Sequence, residues 1–224
     1  MQGQTAVVIG STGLIGTQLV QVLLTDMAFT EVRILVRRPV SFSHPKLSVQ
    51  IVSFDDYHDL KEKIGRGHSI FCCVGTTQKK VKGNKADYRK VDYNIPVNAA
   101  NASIENGFKK FLLVSAVGAN KNAGNFYLRL KGEVEDSISK LEFESVHFFR
   151  PSILLGTREE IRAGEKIAKG TMQLFSFLLA GPLKKYKAIQ SADVAKALVA
   201  ASKQEKKGVC LYEYKEMIEL ISEV

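Results

Sequence analysis

Cysteine is scarce. The 224-residue chain has three, and none fits a disulfide framework of the sort that staples small secreted domains. Cys72 and Cys73 are adjacent in the apolar run SIFCCVG, where neighbouring strand side chains point to opposite faces, and Cys210 stands alone in GVCLYEY. All three read as small buried hydrophobes. Histidine is sparse as well: His44, His58, His68 and His147 lack metal-ligand spacing with one another or with a cysteine pair, so no metal site is expected. Long apolar runs are missing too. The longest, LFSFLLAGPL, is broken by Ser176, Gly181 and Pro182 and is too short to cross a bilayer. No basic leader ahead of an apolar segment is present, and no internal repeat or low-complexity linker divides the chain. One soluble, cytoplasmic globular domain is the expectation, with 45% hydrophobic residues to build its core.

Charge is abundant but not segregated. The net charge of +9 and the stretch QKKVKGNK at 78–85 raise the question of a nucleic-acid partner. Lysines are spread over the whole chain, however, and that stretch carries no interleaved aromatics for stacking. A solvated basic loop is the simpler reading, and no nucleic-acid partner is expected. A positive field would attract an anionic cofactor equally well.

Short β-branched or apolar runs recur as TAVVI, EVRILV, LSVQIV, HSIFCCV, KKFLLVS and ESVHFF, mostly separated by segments of helical periodicity. That alternation predicts an α/β fold with a doubly wound parallel sheet, residues 1–155 forming the dinucleotide-binding core. Beyond residue 155 the pattern changes, and 156–224 reads as a small lobe over the carboxyl ends of the strands. Its pieces are helical excursions, a short strand near KYKAI, the helix SADVAKALVAASKQ capped by Ser191 or Asp193, the strand GVCLYEY and a final helix. Gly107 is expected to end the helix that contains VNAANASIEN.

The first strand runs directly into Gly10-Ser11-Thr12-Gly13-Leu14-Ile15-Gly16 and then into a helix. Glycines at this spacing permit a tight turn, let the backbone approach a pyrophosphate and allow close helix–strand packing, while the helix N-terminus presents free N–H groups to the phosphates. The second strand ends in Arg37-Arg38, where an NAD site usually places a carboxylate. Arginine can pair with a 2′-phosphate, so NADP(H) is expected over NAD(H), with NAD(H) as the alternative. The fourth strand ends in CCVGTT, and Val74, Gly75 and Thr76 are expected beside the cofactor, the glycine for close passage and the threonine as a hydrogen-bonding group. Tyr127 and Lys131 lie one helical turn apart on one face. A protonated lysine there favours phenolate and eases proton exchange with a substrate oxygen, and Ser115 at the end of KKFLLVS offers a hydroxyl to the same oxygen.

In this order, the glycine turn, strand-ending serine and Tyr-x-x-x-Lys pair resemble the short-chain dehydrogenase/reductase family over nearly the whole chain. FCCVGTT, KVDYN, SAVGANKNAGNFYLRLKGEVE and FFRPSILLG are similar to its atypical HIV Tat-interacting protein branch. The resemblance implies a Rossmann fold, NADP(H) binding, Ser115, Tyr127 and Lys131 as catalytic residues, and Lys131 as a ribose contact. It also implies that Pro151, Ser152 and Ile153 pass along the nicotinamide edge. Ser53-Phe54 stand where the branch is expected to carry an Asp-Phe adenine contact, with Asp55 and Asp56 just after. IQSADVAKAL resembles the wider epimerase-like short-chain group.

The expected function is therefore an NADP(H)-dependent oxidoreductase acting on a small carbonyl/alcohol substrate. Met172, Leu174, Phe175, Phe177 and Leu178 hint at a hydrophobic pocket for it. Two alternatives are an epimerase-like enzyme with retained cofactor and an NADP(H)-binding regulator or scaffold with a protein partner. Membrane contact through MQLFSFLLAGPLKKYKA is the lesser reading of a segment better explained as a pocket helix and solvated turn.

Overall fold

The computed structural model describes residues 3–76, 83–156 and 181–222. Its centre is a seven-stranded, wholly parallel sheet in the order β3-β2-β1-β4-β5-β6-β9. These strands are β1 (Gln4–Ile9), β2 (Phe29–Val36), β3 (Leu47–Ile51), β4 (Ser69–Cys72), β5 (Lys110–Val114), β6 (Ser145–Phe149) and β9 (Gly208–Tyr212). A small second sheet pairs β7 (Leu154–Leu155) with β8 (Ile189–Gln190). The order reverses at β1, so the ends of β1 and β4 frame the crevice where open α/β sheets take ligands.

Period-two alternation of side chains decides how the layers form. Ala6 and Val8 of β1 enter one apolar cluster, while Val7 and Ile9 enter another on the opposite face. The first cluster takes in α1 (Leu14–Thr25), α6 (Ser191–Lys203) and α7 (Tyr214–Ser222). The second takes in α2 (Tyr57–Ile64), α4 (Ile95–Glu105) and α5 (Phe126–Ser139). Between the layers Phe71, Phe111, Phe148 and Phe149 are fully buried, each contributing roughly 2–3 kcal/mol of hydrophobic stabilisation. Cys72 packs in the second cluster and Cys73 against the first, as alternation requires. Gly107 closes α4, its N–H donating to the Ile104 carbonyl.

Two sequence expectations are corrected. Residues 191–222 do not sit as a small lobe over the carboxyl ends of the strands: β9 pairs with β6 in the main sheet, and α6 packs along α1 with several buried alanines in the shared cluster. Small side chains on α6 let the two helices approach closely, which draws the C-terminal segment into the core. Nor does Ser191 or Asp193 cap α6. Gln190 holds that position without a side-chain hydrogen bond, and Ser191 is already helical and buried. The pocket residues from Met172 to Leu178, and most of the basic loop at 78–85, lie outside the described residues.

Candidate active site and family

The site is built on the turn after β1. Gly10 has a φ of 85°, and a Cβ there would stand 2.7 Å from the Cys73 carbonyl carbon. At Gly16 a Cβ would stand 2.1 Å from the Gly10 oxygen. These positions admit no side chain, and that is what brings α1 against β1. Gly13 caps α1 without a side chain, and its N–H donates to the Gly10 carbonyl at 3.0 Å. No side chain caps the helix and its first turn holds no acid, so the leading N–H groups are left for an external anion. The Ser11 Oγ is buried in the same turn with no partner. Free N–H groups at a helix N-terminus beside an unpartnered hydroxyl are the donor set a pyrophosphate takes. Thr12 is exposed beside it; Ile15, by contrast, buries its side chain in the core, so only its backbone faces the turn.

Arg37 and Arg38 are exposed just past β2, and neither pairs with a carboxylate among the described residues. Ser53 is exposed at the end of β3, but its N–H donates to the Asp59 carboxylate at 2.7 Å. Phe54 leans on the second apolar cluster. Asp56 spends its carboxylate capping α2 through the His58 and Asp59 N–H groups. Asp56 and Asp59 therefore serve the local turn.

Past β4, Val74 leans on the second cluster, Gly75 is exposed, and the Thr76 N–H donates to an Asp92 oxygen at 2.8 Å. Asp92 is 1% exposed and sits on a π-helical turn, Lys90–Asn94, between α3 (Lys85–Arg89) and α4. Its other oxygen lies 2.9 Å from the Lys131 ammonium. Lys131 is 3% exposed and its Nζ stands 5.9 Å from the Tyr127 ring centre. Tyr88 of α3 donates its hydroxyl to the Thr76 carbonyl and meets the Tyr127 ring edge-on. Sequence reasoning missed Asp92 as a site residue. Its signal was present, as the acid in the KVDYN motif.

Burial is the largest influence on Lys131 and works against its charge, but the Asp92 carboxylate and the Tyr127 phenol outweigh it, and the group is held above its ordinary range. Burial also pushes the Tyr127 phenol up; Lys131 opposes this and Asp92 adds to it. The lysine does draw the phenol down, as expected, but burial is the larger influence and leaves the group above its ordinary value. Tyr127 holds its proton at neutral pH.

Ser115 extends β5, its N–H donating to the Phe149 carbonyl at 2.7 Å, and its Oγ is buried without a partner. Next to it, at the end of β6, Pro151 is buried and accepts from the Val117 N–H. Ser152 donates its hydroxyl to the Lys187 carbonyl, while Ile153 remains 44% exposed. Val74–Thr76, Ser115 and Pro151–Ile153 thus follow the carboxyl ends of three adjacent strands, β4, β5 and β6.

Together the fold and site define an α/β protein of the Rossmann type. The chain belongs to the NAD(P)H-binding family, whose model matches residues 10–205. It is 31% identical over 173 residues to the HTATIP2 protein of Rattus norvegicus, covering 75% of this chain and 70% of that one. To the mitochondrial FMP52 protein of Debaryomyces hansenii it is 33% identical over 198 residues, covering 87% and 86%. To FMP52-1 of Scheffersomyces stipitis it is 36% identical over 156 residues, covering 69% of each. These relatives bear out the Tat-interacting resemblance. Among solved structures, MoeE5 with UDP-glucose and NAD superposes with a TM-score of 0.69 at 14% identity, covering 98% and 81%. The UDP-glucose 4-epimerase of Thermotoga maritima gives 0.68 at 16%, covering 98% and 82%. Both share the fold. The cytoplasmic placement expected from the sequence is corrected: several relatives are named mitochondrial proteins. Composition carried no such address.

Proposed function

We propose that this chain is an NADP(H)-dependent oxidoreductase that interconverts a small, apolar carbonyl compound and its alcohol, in a mitochondrial setting. The observation that carries the reading is Tyr127 beside the buried Lys131, its Nζ 5.9 Å from the ring centre, on the helix that follows the strand-ending Ser115. The α1 N-terminus and the Ser11 hydroxyl would hold the pyrophosphate, and Arg37 or Arg38 a 2′-phosphate. When bound, the nicotinamide supplies or accepts the hydride. Tyr127 gives its proton to the substrate oxygen in the reductive direction and takes it back in the oxidative one. Ser115 donates a hydrogen bond to that oxygen, which accounts for its unpartnered Oγ. The Lys131 charge favours the tyrosinate that remains after transfer. Ile153 offers an apolar surface at the end of β6.

The test is a fluorescence titration of wild type and Tyr127→Phe with NADPH and NADH, followed by a screen of aldehydes and ketones for NADPH consumption. Both proteins should bind NADPH more tightly than NADH. Only wild type should turn over, the variant falling by about 10²–10⁴-fold. Absence of nucleotide binding, or equal turnover by the two proteins, overturns the reading.

A further inference from the structure

Asp92 has no place in the reaction just described, yet it is more deeply buried than any group that does. Its carboxylate bridges two segments that meet only in the folded chain. One oxygen takes the Thr76 N–H at 2.8 Å, from the loop after β4. The other lies 2.9 Å from Lys131, from the middle of α5. We propose that Asp92 is a positioning residue, clamping the Lys131 ammonium to the loop that carries Val74, Gly75 and Thr76. The assignment rests on the reductase reading for its catalytic meaning, but not for its geometry.

Three observations carry it. A lysine 3% exposed has almost no contact with solvent to stabilise its charge, and an uncompensated buried charge is costly. Among the described residues, the groups acting on that ammonium are Asp92 from the π-helical turn, Tyr127 from α5 and Cys72 from β4. Of these Asp92 is the carboxylate, in contact at 2.9 Å, whereas burial pushes the Cys72 thiol up to about 11 and raises the Tyr127 phenol as well. Finally, Asp92 lies on a π-helical turn. Such turns are rare and recur at functional sites, where one extra residue re-aims a side chain. Here the turn aims Asp92 under the loop, and the Tyr88 hydroxyl fixes that loop from the other side through the Thr76 carbonyl. Lysine, loop and tyrosine thus share one anchor. Asp92 touches neither substrate nor hydride carrier; it acts through Lys131.

The experiment follows the Lys131 side chain by NMR of lysine-labelled protein without nucleotide, its signal assigned by loss in Lys131→Met. In wild type Lys131 should stay charged to high pH. In Asp92→Asn its titration should shift to lower pH, and Asp92→Glu should restore it. An Asn variant that titrates as wild type overturns the proposal. Because no nucleotide or substrate is used, this result is independent of whether the protein reduces carbonyls. Should Asp92→Asn fail to fold, the Asp92→Asn, Lys131→Met double variant decides. Recovery of a cooperative unfolding transition shows that the stranded ammonium was the fault, and continued failure shows that Asp92 serves the fold alone. In the catalytic assay, Asp92→Asn should lower kcat more than it raises the KM for the carbonyl, and should shift the alkaline limb of the pH profile. A loss confined to thermal stability counts against a positioning role.

Discussion

A single methyl group has no room at Gly16. The nearest atoms to an added Cβ are all backbone, the Gly10 oxygen at 2.1 Å, the Gly10 carbonyl carbon at 2.8 Å and the Ser11 Cα at 2.9 Å, so no rotamer change can relieve the clash. Gly16→Ala should therefore push α1 off β1 and spoil the phosphate cradle. The expected outcome is a loss of at least about 2 kcal/mol in stability and tenfold or more in NADPH affinity. Chemical denaturation and nucleotide titration check both, and a variant that binds as wild type contradicts the close-packing account of the turn. The glycine turn was legible in the sequence because its parts lie within seven residues and their physics is local. The clamp under Lys131 was not. Asp92 finds its partners on α5 and after β4 only once the sheet has formed, and no local pattern announces a pairing over that distance.

At the scale of elements, α5 does the most for the site because it carries both Tyr127 and Lys131. Its first turn depends on Asn125, whose side-chain oxygen accepts from the N–H groups of Tyr127 and Leu128 at 2.9 and 3.2 Å. Tyr127 is thus held by a cap on its own amide. Replacing Asn125 with alanine should cost about 1 kcal/mol of stability. The tyrosine sits within the frayed turn and the lysine a turn deeper, so kcat should fall while nucleotide affinity stays near wild type. Steady-state kinetics and NADPH titration separate the two, and an equal loss in both places the defect elsewhere. The six apolar runs of the first 155 residues each have a strand among the described residues, while the helical excursions expected after residue 156 lie outside them. Where the late elements go was not readable. GVCLYEY reads as a strand by its residue types, but its place beside β6 depends on the edge that β6 leaves open. The cap of α6 was likewise misassigned, because Ser191 is buried against the chain near Gly156 and already lies in the helix.

For the whole molecule, the sheet must bury β6 completely, and β6 contains a histidine. His147 is 0% exposed; its Nδ1 meets the Tyr212 hydroxyl at 3.0 Å across the β6–β9 pair, and its Nε2 has no partner. Burial chiefly, with Lys110 and Lys206 nearby, depresses its pKa to about 4 from an ordinary 6.5. The fold therefore holds a neutral imidazole, while the unfolded chain takes up a proton below about pH 6.5. A base depressed in this way leaves stability intact above 6.5, and stability falls as the pH drops from there to about 4, where the native state also protonates. Linkage sets the full loss at about 3 kcal/mol, as an upper figure. The paired carboxylates act in a lower window: Asp26, Glu105, Asp136 and Glu144 are all held below their ordinary values, and what they contribute is lost only as they protonate in more acid solution. His147→Leu tests the separation. At pH 7 it should be less stable by about 1–2 kcal/mol, since the Tyr212 hydroxyl loses its partner. Between pH 6.5 and 4.5 its urea midpoint should change less than that of wild type. Parallel slopes for the two proteins would move the acid sensitivity of this fold away from His147 and onto its surface carboxylates.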